Sequence, residues 1–327
     1  MKPILLGLLA AFFFAFTFVL NQSMELSGGS WIWSASLRYF FMLPFLFLIV
    51  GLRKKVDYLW IEMKANPFSW ILWSTIGFGI FYGGICLASA YGPGWLIAAT
   101  WQITIISGTL ITPLFYEQIN QGGSMNKVRR KIPLNSLIFS FFIIVGVLIM
   151  QIEHASAMEF KDALLCLIPI ILASVAYPLG NRKMIEICGE RLGVFERVLG
   201  MTIASIPFWI ILSVIGVSTV GLPNKQQIVQ AGMVAIFSGI FATILFFKAT
   251  ELVKNNMAKL GAVEATQSFE VLFALIGEIL FLSADLPTIL SITGICFVML
   301  GMMLHSIFST KISRIKIKGW HKNDFCD

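Results

Sequence analysis

Three polar side chains, Glu264, Gln267 and Glu270, follow one another at three-residue steps within an otherwise apolar stretch near 257–283. At about 100° per residue in a helix they fall within about 120° of one another and share one face. Glu270 lies near the centre of the stretch. A charged side chain in the middle of a bilayer costs roughly 2.5–3.5 kcal/mol on insertion scales and is seldom present without a use. Desolvation disfavours the ionised form of a carboxyl group, so a glutamate at that depth is suited to binding and releasing a proton. Proton coupling is therefore the chemistry expected, carried by Glu270 and Glu264. The alternative is a glutamate, neutral or paired with Arg38, that only joins helices.

A second apolar stretch, near 94–115, carries Thr100, Trp101, Gln102, Thr104, Ser107, Gly108, Thr109 and Thr112. Thr100, Thr104, Ser107 and Gly108 recur at three- and four-residue steps, the spacing of small residues that pack membrane helices together. The ring of Trp101 offers a face for an organic cation. Arg38 lies about seven residues, or about 10 Å, from one end of its stretch. It is placed to snorkel outward, to pair with Glu25, or to serve as countercharge for Glu270 or an anionic substrate. The substrate-binding candidates are Gln267, Trp101, Gln102, Thr104 and Arg38. Glu117 and Glu278 fall at stretch ends, as helix termini or salt-bridge partners. His154, His305 and His321 are far apart, and the five cysteines (Cys86, Cys166, Cys188, Cys296, Cys326) form no CxxC, so neither a metal site nor any cofactor is expected. An intramembrane enzyme is not expected either, because no GxSG, HExxH or paired aspartates occur within the stretches.

These residues need membrane helices to hold them. Of 327 residues, 57% are apolar and 13% charged, with a mean hydropathy of +0.85. A bilayer core of about 30 Å takes roughly 20 helical residues to span. Ten such stretches run near 3–22, 31–51, 68–90, 94–115, 134–152, 162–180, 198–218, 228–249, 257–283 and 287–308. The predicted fold is all-α and integral to the membrane. Trp31, Trp33, Trp70 and Trp95 sit at stretch ends, where interface anchors belong. Pro44, Pro113, Pro169, Pro178 and Pro207 are candidate kinks. Lys and Arg accumulate in the even-numbered connections and at both ends, which predicts cytoplasmic termini in a multi-pass protein of the cell (plasma) membrane. The net charge of +7 is thus a topology signal spread over several loops, and no nucleic-acid partner is expected. The expected partners are a small-molecule substrate and membrane lipid, with a homodimer as one arrangement of the working unit.

The chain also repeats itself. Asn21 and Met24 match Asn181 and Met184 at an offset of 160, Gly79-Ile80-Phe81 matches Gly239-Ile240-Phe241 at the same offset, and Glu117 matches Glu278 at 161. Arg38 pairs with Arg197 if one residue is deleted. Five helices is an odd number, so the second copy enters the membrane from the opposite side. Inverted repeats of this kind favour two related conformations around a site near the midplane. The expected units are a first five-helix repeat at 1–153, a second at 154–310 and a basic cytoplasmic tail at 311–327.

With Leu37-Arg38-Tyr39 early in the second stretch, and Phe115-Tyr116-Glu117 and Ile276-Gly277-Glu278 closing the fourth and ninth, the chain resembles the drug/metabolite transporter superfamily. Thr100-Trp101-Gln102-Ile103-Thr104 and the segment from Glu264 to Val271 are similar to its multidrug resistance efflux branch. That resemblance implies a secondary active exporter of small organic molecules, cationic drugs in the first instance, working by proton-coupled alternating access. Export or uptake of a metabolite such as an amino acid or sugar is the alternative. The small multidrug resistance relatives carry an essential glutamate in their first helix. Here the first stretch has no carboxylate before Glu25, so the proton-carrying role is sought at Glu270 and Glu264.

Overall fold

The computed structural model describes the chain at 1–121, 124–132, 134–156, 158–189, 191–253 and 257–323, with side chains given outside 117–127, 135–136, 257–258 and 309–323. The side chains of the basic tail from Lys311 to Lys322, His321 among them, those of Glu117 and Lys127, and the whole of Cys326 therefore lie outside the described residues. Among the described residues, nine helical stretches are long and apolar enough to cross a membrane. They comprise α1 (Lys2–Leu26), α2 (Trp31–Leu52), α4 (Pro67–Ser89), α7 (Leu134–Ser156), α8 (Phe160–Cys188), α9 (Val194–Thr219), α10 (Lys225–Glu251), the interrupted pair α11 (Met257–Ala265) and α12 (Phe269–Leu282), and α13 (Ile289–Asn323). Each shows only part of its surface to the bundle. Ile138, Phe141, Leu148 and Ile211 are exposed, and residues of this kind form the apolar band that acyl chains cover.

The fourth expected stretch departs from the prediction of one continuous span. It is two eight-residue helices, α5 (Gly94–Trp101) and α6 (Ile103–Leu110), which meet at Gln102 and end in a 3-10 turn at Thr112–Leu114. Side-chain competition for helix carbonyls accounts for the interruption. Gln102 Nε2 donates to the Ala98 carbonyl at 3.0 Å, and Thr109 Oγ1 to that of Ile105 at 2.8 Å. Between α11 and α12, Thr266–Ser268 tightens into a 3-10 turn. Here Thr266 Oγ1 donates to the Val263 carbonyl at 2.6 Å and Ser268 Oγ to that of Ala265 at 2.8 Å. The prolines behave otherwise. Helices run through Pro44, Pro169, Pro178 and Pro207, and only Pro113 lies in the 3-10 turn.

Two π-helical segments, Thr75–Ile80 in α4 and Ala235–Ala242 in α10, contain the first two residues of each matching Gly-Ile-Phe triplet. Close helix crossings depend on glycine: Gly77 of α4 lies against Gly180 of α8, and Gly146 of α7 against Gly294 of α13. Trp70 is not the expected interface anchor. It is 1% exposed, packed over Gly200 of α9, and its indole N–H donates to the Glu62 carbonyl at 3.3 Å. Trp33 is also buried, donating to the Gly221 carbonyl at 2.8 Å. Two connections read as loops are structured. One is the short helix α3 (Val56–Ala65), which buries Leu59 against Gly200. The other is an antiparallel hairpin, β1 (Tyr116–Gln121) with β2 (Ser124–Arg129), in register from Tyr116 with Arg129 to Gln121 with Ser124. The all-α prediction thus needs one small hairpin added to it, and Glu117 belongs to β1 instead of ending a helix.

Candidate functional site

Both interrupted helices border one cavity of about 640 Å3. The seven residues singled out by sequence line it together: Arg38 from α2, Trp101 and Gln102 at the first interruption, Thr104 from α6, and Glu264, Gln267 and Glu270 around the second. An unwound turn releases backbone groups and re-aims side chains, which is how interrupted helices build sites inside a membrane protein. Glu270 opens the first turn of α12 and is 8% exposed, and Gln102 lines the same cavity. Gln267 Nε2 donates to the Gly7 carbonyl of α1 at 3.2 Å. Glycine is required at that crossing because Thr266 Oγ1 would sit 2.5 Å from any β-carbon on residue 7.

Arg38 does not pair with Glu270 or Glu25. Among the described residues it has no carboxylate partner. Its Nη2 donates to Ser238 Oγ at 3.2 Å, its guanidinium stands 4.1 Å from the centre of the Tyr82 ring, and its Nε has no hydrogen-bond partner. Thr17 donates to the same Ser238 hydroxyl at 2.6 Å, while the Tyr82 hydroxyl donates to Asn21 Oδ1 at 3.2 Å. Arg38, Thr17 and Ser238 line the cavity and make a polar floor at one end of it, with Tyr82 and Asn21 behind them. Beyond that floor the bundle is tied shut: Gln227 Nε2 donates to the Ser30 carbonyl at 2.7 Å and to Ser34 Oγ at 3.0 Å, and Gln230 Nε2 to Ser23 Oγ at 2.8 Å. In the other direction the lining runs to Arg182, Arg197 and Ser306, near the end of the bundle where α1 begins and α2 ends.

Thr104 and Ser107 face α8, where Thr104 Oγ1 donates to the Ser174 carbonyl at 3.2 Å and Ser107 Oγ shares a 3.0 Å hydrogen bond with Ser174 Oγ. Thr100 accepts from Gln151 Nε2 at 2.8 Å. Thr100, Thr104 and Ser107 thus join their helix to its neighbours, and Thr104 also borders the cavity. Trp101 joins Phe81 at 4.9 Å and Tyr177 at 5.6 Å between ring centroids, an aromatic wall facing the cavity. Glu278 lies outside the cavity. It is 1% exposed, and its carboxylate rests against Gly94, where the N–H groups of Gly94 and Trp95 begin α5; an anion there complements the helix N-terminus.

Sequence reasoning did not select Tyr177, Arg182, Arg197 or Ser238, all of which line the cavity. The internal repeat held part of the missing signal. Arg197 is the mate of Arg38 and Asn181 that of Asn21, and both second-half residues reach the cavity wall. Arg182 Nη1 is held by the Gly108 carbonyl at 2.5 Å; in the sequence it reads only as one more loop cation. The described residues hold no cluster of three or more His, Cys, Asp or Glu side chains suited to a metal ion.

Comparison with known proteins agrees with this architecture. Residues 1–311 match the family model described as "EmrE: Putative multidrug resistance efflux transporter". The chain is 53% identical over 309 residues to "Uncharacterized protein YjlA" of Bacillus subtilis (strain 168), covering 94% of this chain and 95% of that one. It is 48% identical over 270 residues to a 42.1 kDa protein of Shouchella clausii, covering 83% of this chain and 70% of the relative. A solved structure described only as "Crystal structure of protein" shares the fold, with a TM-score of 0.60 at 8% identity over 95% of this chain and 98% of the other. The chain belongs to the EmrE family, within the drug/metabolite transporter superfamily.

Proposed function

We propose that this protein is a secondary active transporter that exports small organic molecules by alternating access, with Glu270 exchanging the coupling proton. The observation that carries the proposal is the convergence of two interrupted helices on one cavity, with a membrane-embedded glutamate at the second interruption. Glu270 faces the cavity with an amide beside it and no fixed countercharge, so a proton and a positively charged group of the cargo compete for it. Antiport needs that competition. Glu264 stands further along the same wall, and Gln267, Trp101, Gln102, Thr104 and Arg38 shape the space the cargo occupies.

In this reading Gly94–Leu114 makes the fourth of ten crossings in two pieces, and the halves are inverted five-helix repeats. The paired interruptions and paired π-helical segments support it, since they recur in corresponding crossings. The cation excess in the even-numbered connections supports a plasma-membrane protein with both termini in the cytoplasm. The cavity then faces inward, loaded from the cytoplasm, while the Ser23, Ser30, Gln227 and Gln230 ties close the outer side. The drug-like cationic cargo implied by family resemblance is served by Glu270 and the aromatic wall. Proton release provides the test. In weakly buffered detergent solution, a bound cargo should displace about one proton per protein from the wild type and none from Glu270→Gln; equal release from both would assign coupling elsewhere.

A further inference from the structure

The cavity contains more positive charge than an organic-cation site calls for. Arg38, Arg182 and Arg197 all line it, against the two carboxyls Glu264 and Glu270, and no ion pair joins any of the five among the described residues. Arg182 is occupied by backbone and hydroxyl oxygens of the interrupted helix. Arg38 is different. It stands at the closed end, 8% exposed, with one weakly polar partner in Ser238, a Tyr82 ring beneath it, and a buried Nε that bonds to nothing. A guanidinium is a planar fork of donors that matches the two oxygens of a carboxylate. A permanent cation brought to this floor would meet repulsion.

We infer that the cargo is an amino-carboxylate zwitterion with an apolar body. Its carboxylate is received by Arg38 at the floor, its ammonium by Glu270 and Gln102, and its body by the Phe81, Trp101 and Tyr177 rings. The inference rests on the reading of Glu270 as the cargo-exchanging group and adds the second pole. Arg38, Tyr177 and Glu270 line the same cavity, so the two poles border a common space. Because Arg38 also ties α2 to α10 through Ser238, a carboxylate that draws the guanidinium away would loosen the floor in the same act.

Matched ligand series test this on purified full-length protein by calorimetry. Each series holds the body constant and varies the poles: tryptophan, tryptamine and indolepropionate; phenylalanine, phenethylamine and phenylpropionate; leucine, isopentylamine and isocaproate. In at least one series the zwitterion should bind the wild type more tightly than either single-pole analogue. Arg38→Gln should weaken the zwitterion about a hundredfold while binding the amine no less tightly than the wild type does, since the repulsion at the floor is relieved, and Arg38→Lys should restore part of the zwitterion's loss. Size-exclusion elution and melting of each variant report whether it is folded. Binding by amines alone, binding by no zwitterion, or a zwitterion affinity equal in folded wild type and Arg38→Gln each overturns the inference. Amine binding that still depends on Glu270 would leave the exporter reading standing without it. Zwitterion binding lost in Arg38→Gln but unaltered in Glu270→Gln would refute Glu270 as the ammonium's partner, overturning the two-pole inference and the exporter reading's coupling group together.

Discussion

Replacing Gly180 by alanine tests whether the backbones of α4 and α8 truly touch beside the cavity. A β-carbon at residue 180 would lie 2.5 Å from the Gly77 nitrogen and 2.7 Å from the Trp73 carbonyl oxygen, and closer still to Gly77 Cα. These are backbone atoms, so no rotamer change can relieve the overlap, and the two helices must separate. The cost falls at the upper end of the overpacking range, about 3 kcal/mol. At about 2 °C or more per kcal/mol, the melting temperature should fall by roughly 6 °C. Gly83→Ala is the internal control. Gly83 lies in the same α4, and its added methyl meets nothing within 4 Å, so relief of helical glycine entropy should stabilise by about 0.5–1 kcal/mol. The assay is thermal melting in one detergent, followed by recovery of the monodisperse peak. If Gly180→Ala melts no lower than Gly83→Ala, the helices do not cross as described, and the wall bearing Tyr177 and Pro178 is wrongly placed.

Three further outcomes are expected. Trp70→Ala should destabilise by about 3–5 kcal/mol, the usual cost of emptying a large buried aromatic site, and an unchanged melting temperature would return Trp70 to the lipid interface. Glu278→Gln should cost about 0.5–1 kcal/mol by removing an anion from the α5 N-terminus, read as a lower melting temperature that added salt does not restore; no change would mean the carboxylate does not serve that helix end. A cysteine introduced at Asn126 should be protected from an impermeant thiol reagent in intact cells and labelled after permeabilisation, whereas labelling in intact cells would invert the proposed topology.

Sequence made the polar residues of the cavity conspicuous because a bilayer leaves few reasons to keep Glu270, Gln267 or Arg38 inside apolar stretches. The matching Gly-Ile-Phe triplets were legible too, and the Gly-Ile pair of each falls on one of the two π-helical segments. What it hid was local competition for carbonyls. Gln102 and Thr266 interrupt helices without a proline or glycine at the break, while four prolines sit in helices that continue through them. Hydropathy also cannot tell a wall residue from a lipid-facing one, so Tyr177 passed unnoticed. Trp70 was misplaced for a related reason: proximity to a span end suggests an interface, but α3 folds back and covers it with Leu59 at the same Gly200.

The central claim is that Glu270 exchanges a proton for cargo, and transport in proteoliposomes tests it most directly. Wild type, Glu270→Gln, Glu270→Asp and Glu264→Gln are reconstituted at matched density, and efflux of a bound cargo driven by an imposed proton gradient is followed at several pH values. Arg38, Arg197, Tyr177, His305 and Glu264 share the cavity with Glu270, so the comparison across variants, more than any single profile, isolates its contribution. The account predicts that Glu270→Gln loses gradient-driven efflux while remaining folded in the membrane, that Glu264→Gln loses much less, and that Glu270→Asp transports with a shifted pH profile. Gradient-driven efflux by Glu270→Gln with the wild-type pH profile would contradict it.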